Sequence, residues 1–136
     1  MDINTYLSFD GTCADAFRFY EKVLGGKIVM MMSYGDMPGN TSMSADVQKR
    51  IMHARLQLGD KFLMASDSPP GRAEAAKGFH VNVSVQDPDE ADRLFKELAA
   101  DGSIAMPIQE TFWAKRFGML VDRFGTPWMV NCEKAA

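Results

Sequence analysis

The chain of 136 residues contains no apolar run that approaches the roughly 20 residues a membrane-spanning helix needs. Its 15 basic and 18 acidic residues are mixed along the sequence, so there is no basic stripe to hold a phosphate backbone. The N-terminus has neither a basic leader nor an apolar stretch of the kind a secretory signal requires. These absences predict a cytoplasmic protein that binds neither nucleic acid nor membrane.

Signatures of catalysis are equally scarce. The two cysteines, Cys13 and Cys132, lie far apart without CxxC spacing, which favours free thiols in a reducing compartment. We find no Ser/His/Asp order and no Walker loop, and the chain has only two histidines, His53 and His80. In contrast, there are 11 methionines. A high methionine content is typical either of an adaptable core or of a surface that accepts varied apolar partners.

The spacing of apolar residues predicts the elements of the first half, because strands alternate with period two and helices repeat every three to four residues. Thr12 is the predicted N-cap of the first helix, and Gly25-Gly26 its end. The predicted elements are a strand at 3–9, a helix at 12–24, strands at 27–33, 51–58 and 61–65, and a loop at 34–50.

The second half repeats this order. Asp87 and Pro88 predict the start of a helix that Gly102 ends. Strands are predicted at 79–85, 103–109, 115–122 and 127–133. Identical residues recur at an offset of 76, namely Ser8/Ser84, Phe19/Phe95, Glu21/Glu97, Gly26/Gly102, Ile28/Ile104 and Met30/Met106. The shared order and offset predict an internal duplication.

The predicted fold class is therefore α+β, with two βαβββ modules. Module one covers about 1–66 and module two about 78–136, joined by a linker at 67–77 within a single domain. We expect each helix to cover the apolar face of its own mixed sheet from outside. The two sheets are then expected to curl around a shared cavity.

Uncharged hydrogen-bonding side chains concentrate on the strand face opposite the helices. Either this is a solvated sheet face, which antiparallel sheets often have, or it lines a ligand cavity. Lysine and glutamate are scarce there, which favours the cavity. The residues are Asn4, Tyr6, Ser8, His53, Arg55, Gln57, His80, Asn82, Ser84, Asn131 and Glu133.

Several of these side chains suit a small ligand. Arg55 shares a face with His53 and can pair an anionic group through two parallel hydrogen bonds, and Tyr6 can donate a hydrogen bond. Asn82 adds a further polar contact. Trp113 can either stack on a planar ligand or pack against the end of the sheet.

Three stretches, NTYLSFDGTCADAFRFYEKVLGG, IMHARLQLGDKFLMASD and ETFWAKRFGMLVDRFGTPWMVNCE, resemble PhnB-like proteins. These belong to the vicinal-oxygen-chelate superfamily of glyoxalases, bleomycin-resistance proteins and extradiol dioxygenases. The resemblance covers nearly the whole chain. It implies a homodimer with cavities at the subunit interface, and it allows a divalent metal that acts as a Lewis acid. Such proteins often carry a demethylubiquinone methyltransferase name, but this chain has no glycine-rich strand-to-helix turn to cradle S-adenosylmethionine.

The resemblance also implies four metal-ligand positions, which Asn4, His53, His80 and Met129 occupy here. Only the two histidines are good ligands, whereas a catalytic site normally has at least three. His53 and His80 are therefore either hydrogen-bonding cavity residues or a two-histidine site completed by substrate or water. No cofactor is certain.

Three functions stay open on this evidence. The chain can be a small-molecule-binding protein that uses Tyr6, Arg55, Asn82, Trp113 and Met129. It can instead be a metal-dependent lyase, isomerase or dioxygenase with a reduced ligand set, or a non-catalytic module that acts through a partner protein. The incomplete ligand set favours the binding protein.

Overall fold

The computed structural model describes residues 1–39 and 42–134, and it separates into two compact units, Met1–Glu74 and Ala75–Ala136. Each unit contains one four-stranded mixed sheet that does not close on itself. The described helices are 12 residues long or shorter, so none of them is long enough to cross a bilayer.

The first unit has its strands in the order β1-β4-β3-β2, with β1 parallel to β4 and the other pairs antiparallel. Its elements are β1 (Thr5–Phe9), α1 (Cys13–Leu24), β2 (Lys27–Ser33), a 3-10 turn (Tyr34–Asp36), α2 (Ala45–Lys49), β3 (Ile51–Leu58) and β4 (Lys61–Asp67). The prediction of a loop at 34–50 was incomplete, because α2 forms there behind its N-cap Ser44, whose side chain accepts a hydrogen bond from the backbone N–H of Val47.

The helix α1 covers one face of this sheet and forms the core with it. Its apolar stripe has no exposed surface, as helical spacing predicts. On the facing strands, alternate residues are buried to the same degree. The core residues are Cys13, Ala16, Phe17 and Tyr20 of α1 with Leu7, Ala54, Leu56, Leu63 and Ala65 of the sheet.

The start of α1 is capped differently from the prediction. Thr12 is the N-cap residue, but its side chain makes no capping hydrogen bond. Instead, the buried carboxylate of Asp67 accepts hydrogen bonds from the backbone N–H groups of Gly11 (2.8 Å), Cys13 (3.0 Å) and Ile51 (2.8 Å). The end of β4 therefore satisfies donors at the start of α1, more than 50 residues away in sequence.

The second unit has the same topology, with strand order β5-β8-β7-β6 and β5 parallel to β8. Its elements are β5 (Val81–Ser84), α3 (Pro88–Ala99), β6 (Ser103–Gln109), β7 (Ala114–Val121) and β8 (Pro127–Glu133). The predicted α+β fold of two βαβββ modules is confirmed. The strand predicted at 79–85 is shorter, because it begins at Val81 and leaves His80 outside the sheet.

The two glycines at matching repeat positions, Gly26 and Gly102, are required for the same structural reason. A Cβ atom on Gly26 would lie 2.7 Å from the carbonyl oxygen of Gln57, and one on Gly102 would overlap the carbonyl oxygen of Val121. Both sites need the smallest residue, because a strand backbone passes directly beside them. Gly102 follows the end of α3, as predicted, but the residue with a positive φ angle there is Asp101, at 60°.

Candidate functional site

The face of the first sheet that α1 does not cover carries a group of aromatic, sulfur-containing and polar side chains. We call this surface the open face. Strand alternation places its members opposite the buried core residues, and strand register brings them side by side. The open face consists of Tyr6, Met30, Met32, His53, Arg55, Phe62 and Met64.

Tyr6 and His53 form a pair on the open face. A hydrogen bond of 3.1 Å joins the Tyr6 hydroxyl to Nδ1 of His53, and the two rings stack with centroids 5.7 Å apart. The pair spans two strands, β1 and β3, that are separated by β4. Because Nδ1 is occupied, Nε2 is the imidazole nitrogen left for a ligand, and it has no hydrogen-bond partner among residues 1–39 and 42–134.

Arg55 lies two residues further along β3 on the same face. Its guanidinium carbon is 4.7 Å from the centroid of the Phe62 ring, a cation–π contact. Its Nε atom is buried and has no hydrogen-bond partner in the described part of the chain. A buried donor that stays unpaired costs free energy, so Arg55 is the side chain on this face that most needs a further acceptor.

Methionines surround these polar groups. Strand register places Met32 opposite His53, and it places both Met30 and Met64 opposite Arg55. Met30 is 39% exposed and Met32 is 36% exposed, so apolar surface remains open to solvent beside the polar groups. Flexible thioether side chains can reshape around ligands of different outline.

The remaining predicted site residues lie in the second unit. Nδ2 of Asn82 donates a 3.0 Å hydrogen bond to Oγ of Ser84, and Met129 is the register neighbour of Asn82. Beside them, Oδ1 of Asn131 is buried without a hydrogen-bond partner in the described residues. His80 is exposed and precedes β5.

Trp113 is 47% exposed and immediately precedes β7. Its ring lies edge-on to Phe112, with centroids 4.9 Å apart, and to Phe117, at 5.5 Å. Trp128, in contrast, is buried and donates from Nε1 to the Asp122 carboxylate at 2.8 Å. Trp113 is therefore the tryptophan available to a ligand, whereas Trp128 belongs to the core.

An open groove of about 540 Å³ lies at one end of the second sheet; of the residues predicted to line a cavity it contains Ser84 and Glu133, but neither Asn82, Trp113 nor Met129. It is lined by Ser84, Val85, Gln86, Lys115, Glu133 and Lys134. Three of these six side chains are charged and only Val85 is apolar, and Lys134 already pairs with Glu110 at 3.6 Å. Ligand pockets are usually lined mainly by apolar and aromatic groups, so the open face is the stronger candidate site.

The donor set does not match a three-ligand divalent site. In the part of the chain that the structure describes, no three His, Cys, Asp or Glu side chains cluster around one point. Asn4 precedes β1, and Met129 offers only a soft thioether. We therefore assign no chemical step to a bound metal.

The profile of the Glyoxalase/Bleomycin resistance protein/Dioxygenase superfamily matches residues 2–130. The chain belongs to this superfamily. Its relatives include Protein YjdN of Escherichia coli K12, which is 37% identical over 98% of this chain and 97% of that protein. The superfamily assignment agrees with the repeated βαβββ topology described above.

Two solved structures extend the comparison. Protein PA1353 from Pseudomonas aeruginosa is 46% identical, with a TM-score of 0.90 over 99% of both chains. A PhnB protein from Bacillus cereus, titled a putative 3-demethylubiquinone-9 3-methyltransferase, is 27% identical, with a TM-score of 0.81 over 97% of this chain and 99% of that one. The predicted resemblance to PhnB-like proteins is thus confirmed.

Sequence reasoning missed Phe62 and Met64 as members of the open face. Both lie on β4, which was predicted as a strand without an assignment of its two faces. The alternation of Phe62 and Met64 with the apolar Leu63 and Ala65 was the signal that could have identified them. Because both sets are apolar, only the position of α1 shows which set is buried.

Proposed function

We propose that this protein binds a small, flat, largely apolar molecule on the open face, as a binding protein of the glyoxalase/bleomycin-resistance type. One observation carries the proposal. Apolar side chains occupy both faces of the first sheet, yet α1 covers only one of them. On the other, the exposed methionines surround the Tyr6–His53 pair and Arg55. Exposed apolar surface with a few convergent polar groups is typical of a binding site.

The balance of energies explains why both kinds of side chain are needed. An aromatic ligand that buries roughly 200 Å² gains about 5 kcal/mol from apolar contact at about 25 cal/mol per Å². The loss of translational and rotational freedom on association costs about as much. Apolar contact alone therefore supports only weak binding, so hydrogen bonds from Tyr6, His53 or Arg55 must supply most of the net affinity.

Methyl-labelled methionine provides a direct test. We would record ¹³C-methyl spectra of the protein while titrating a panel of aromatic compounds. Single Met→Leu substitutions would assign the signals. The expected result is saturable shifts at Met30, Met32 and Met64. In Tyr6→Phe, which removes the hydroxyl and keeps the ring, the shifts should need a higher ligand concentration.

A matched control is available on α1. Arg18 is exposed, and its one ion pair with the described residues is to Asp15 at 3.7 Å, so Arg18→Gln should leave every titration unchanged. Saturable shifts confined to methionines outside the open face would place the binding site elsewhere and contradict the proposal.

We also propose a homodimer, as the family resemblance implies. Phe112 (89% exposed) and Trp113 are aromatic side chains left at the surface of the second unit, which suits a protein contact. Light scattering at micromolar concentration should give about twice the chain mass of 15.1 kDa. A mass equal to one chain would rule out the dimer.

A further inference from the structure

We infer that the ligand of the open face is a monoanion, a carboxylate on a flat apolar body, and that Arg55 binds the carboxylate. This inference rests on the proposed function and specifies its ligand class. It starts from a buried donor of the open face that the described residues leave unsatisfied, Nε of the Arg55 guanidinium.

Most other arginines of the chain have acidic partners; the exception in the described residues is Arg72, which is exposed. Arg50 binds the Asp10 carboxylate at 2.8 Å and the Ser68 carbonyl oxygen at 2.9 Å, and Arg116 binds Asp92 at 2.6 Å. Arg55 has no ion pair and no hydrogen bond within residues 1–39 and 42–134, and its Nε atom is buried. An always-charged group that is half-buried without an acceptor is complementary to an anion.

The surroundings of Arg55 determine the shape of that anion. The Phe62 ring lies against the guanidinium at 4.7 Å, which restricts its orientation. An oriented guanidinium can present two parallel N–H groups, the geometry that matches a carboxylate. Met30 and Met64, its register neighbours on either side, provide apolar surface for the body of the ligand.

The charge of the ligand follows from the small number of cations on this face. Besides Arg55, the open face has one ionisable nitrogen base, His53, whose Nδ1 is hydrogen-bonded to Tyr6. The named members of the open face include no lysine and no second arginine; Lys27, the register partner of Gln57, lies at the β2 edge of the same sheet face, and the chain carries a net charge of −3. One guanidinium balances one negative charge, so a carboxylate fits better than a phosphate dianion.

The Tyr6–His53 pair then binds the end of the ligand opposite the carboxylate. His53 and Arg55 are two residues apart on β3, about 7 Å along the strand. That separation is comparable to the length of a two-ring aromatic system. We therefore expect the carboxylate at Arg55 and a hydrogen-bonding group of the ligand near Tyr6 and His53.

A pair of probes that differ in charge but not in shape tests the inference. 2-Naphthoate and 2-naphthamide would be titrated against the protein and against Arg55→Met, Arg55→Lys and the control Arg18→Gln. We expect the wild type to bind naphthoate about 10- to 100-fold more tightly than naphthamide. Arg55→Met should abolish that preference with little change for naphthamide, and Arg55→Lys should restore it only in part.

The possible outcomes separate this inference from the proposed function. If both probes shift the methionine signals of the open face equally, and Arg55→Met changes neither affinity, the binding site stands and the carboxylate inference is overturned. If neither probe binds, both ideas are contradicted for this ligand class. Arg55→Met could instead convert a dimer into a monomer and leave naphthoate binding unchanged. Arg55 would then contact a second copy of the chain, and the inference would also be overturned. Unchanged far-ultraviolet circular dichroism would show that each variant is folded.

Discussion

Replacing Asp67 with asparagine tests whether one carboxylate connects three segments of the first unit. One carboxylate oxygen of Asp67 accepts hydrogen bonds from the backbone N–H groups of Gly11 and Cys13, and the other accepts from Ile51. Asp67 is only 2% exposed, so water cannot replace a lost acceptor. An asparagine has one oxygen and one NH₂ group, so at least one of these N–H groups would face a donor.

The expected loss of stability follows from these contacts. A hydrogen bond to a charged group contributes about 1.5–3 kcal/mol, and Asp67→Asn removes at least one such bond and weakens the others. We expect the free energy of unfolding to fall by about 2–5 kcal/mol, a large part of the 5–15 kcal/mol typical of a domain. Urea denaturation followed by circular dichroism would measure the change.

Asp15→Asn is the matched control, because Asp15 is exposed on α1 and its contact with a charged group in the described part of the chain is a 3.7 Å ion pair with Arg18. This control should change the unfolding free energy by less than about 0.5 kcal/mol. A loss below about 1 kcal/mol for Asp67→Asn, or one equal to the control, would refute the reasoning.

Three further predictions concern other parts of the chain. Burial, with the nearby Asp67 carboxylate as a second cause, raises the pKa of the Cys13 thiol from 9.0 to about 12. Between pH 9 and 12 the folded state therefore keeps a proton on this thiol that the unfolded state loses. The free energy of unfolding should fall over this range by up to about 1.4 kcal/mol per pH unit more in the wild type than in Cys13→Ala. Parallel curves for the two proteins would contradict this prediction. Gly102→Ala should destabilise the second unit by about 1–3 kcal/mol, because the added methyl group overpacks against β7. A melting temperature equal to that of the wild type would contradict this prediction and show that the backbone shifts to make room. When the protein is loaded with Zn, Ni, Mn or Fe and the excess is removed, mass spectrometry should find no stoichiometric metal. One bound equivalent that disappears in the His53→Ala/His80→Ala double variant would instead favour the metal-dependent lyase, isomerase or dioxygenase.

Much of the fold could be predicted because its signals are local. Period-two alternation identified the strands at 3–9, 51–58 and 79–85, and the other strands were predicted within a few residues of their observed ends. The Asp87–Pro88 pair marked the start of α3, where the Asp87 side chain accepts from the backbone N–H of Asp89 at 3.3 Å. The identities at an offset of 76 indicated that the second unit would repeat the topology of the first. The first two of these signals depend on residues within one turn or one strand, and the third depends on a comparison of two segments of the chain.

The candidate site depended on contacts that are distant in sequence. Tyr6 and His53 were predicted to share a polar face, but their hydrogen bond spans 47 residues and depends on the placement of β4 between their strands. The unsatisfied Arg55 could not be recognised from the sequence, because the absence of an acceptor depends on every neighbouring side chain.

By itself, the sequence determined the alternation of the strands at 3–9, 51–58 and 79–85 and the helix at each repeat position, because the spacing of side chains is a property of the local chain. The contacts that require glycine at Gly26 and Gly102 come from β3 and β7, so they belong to the tertiary structure. Only the tertiary structure decided that Asp67 rather than the Thr12 side chain would cap α1, and that Phe62 would lie against Arg55. Those contacts join separate strands and helices, and they exist only when burial of the apolar core has brought these elements together.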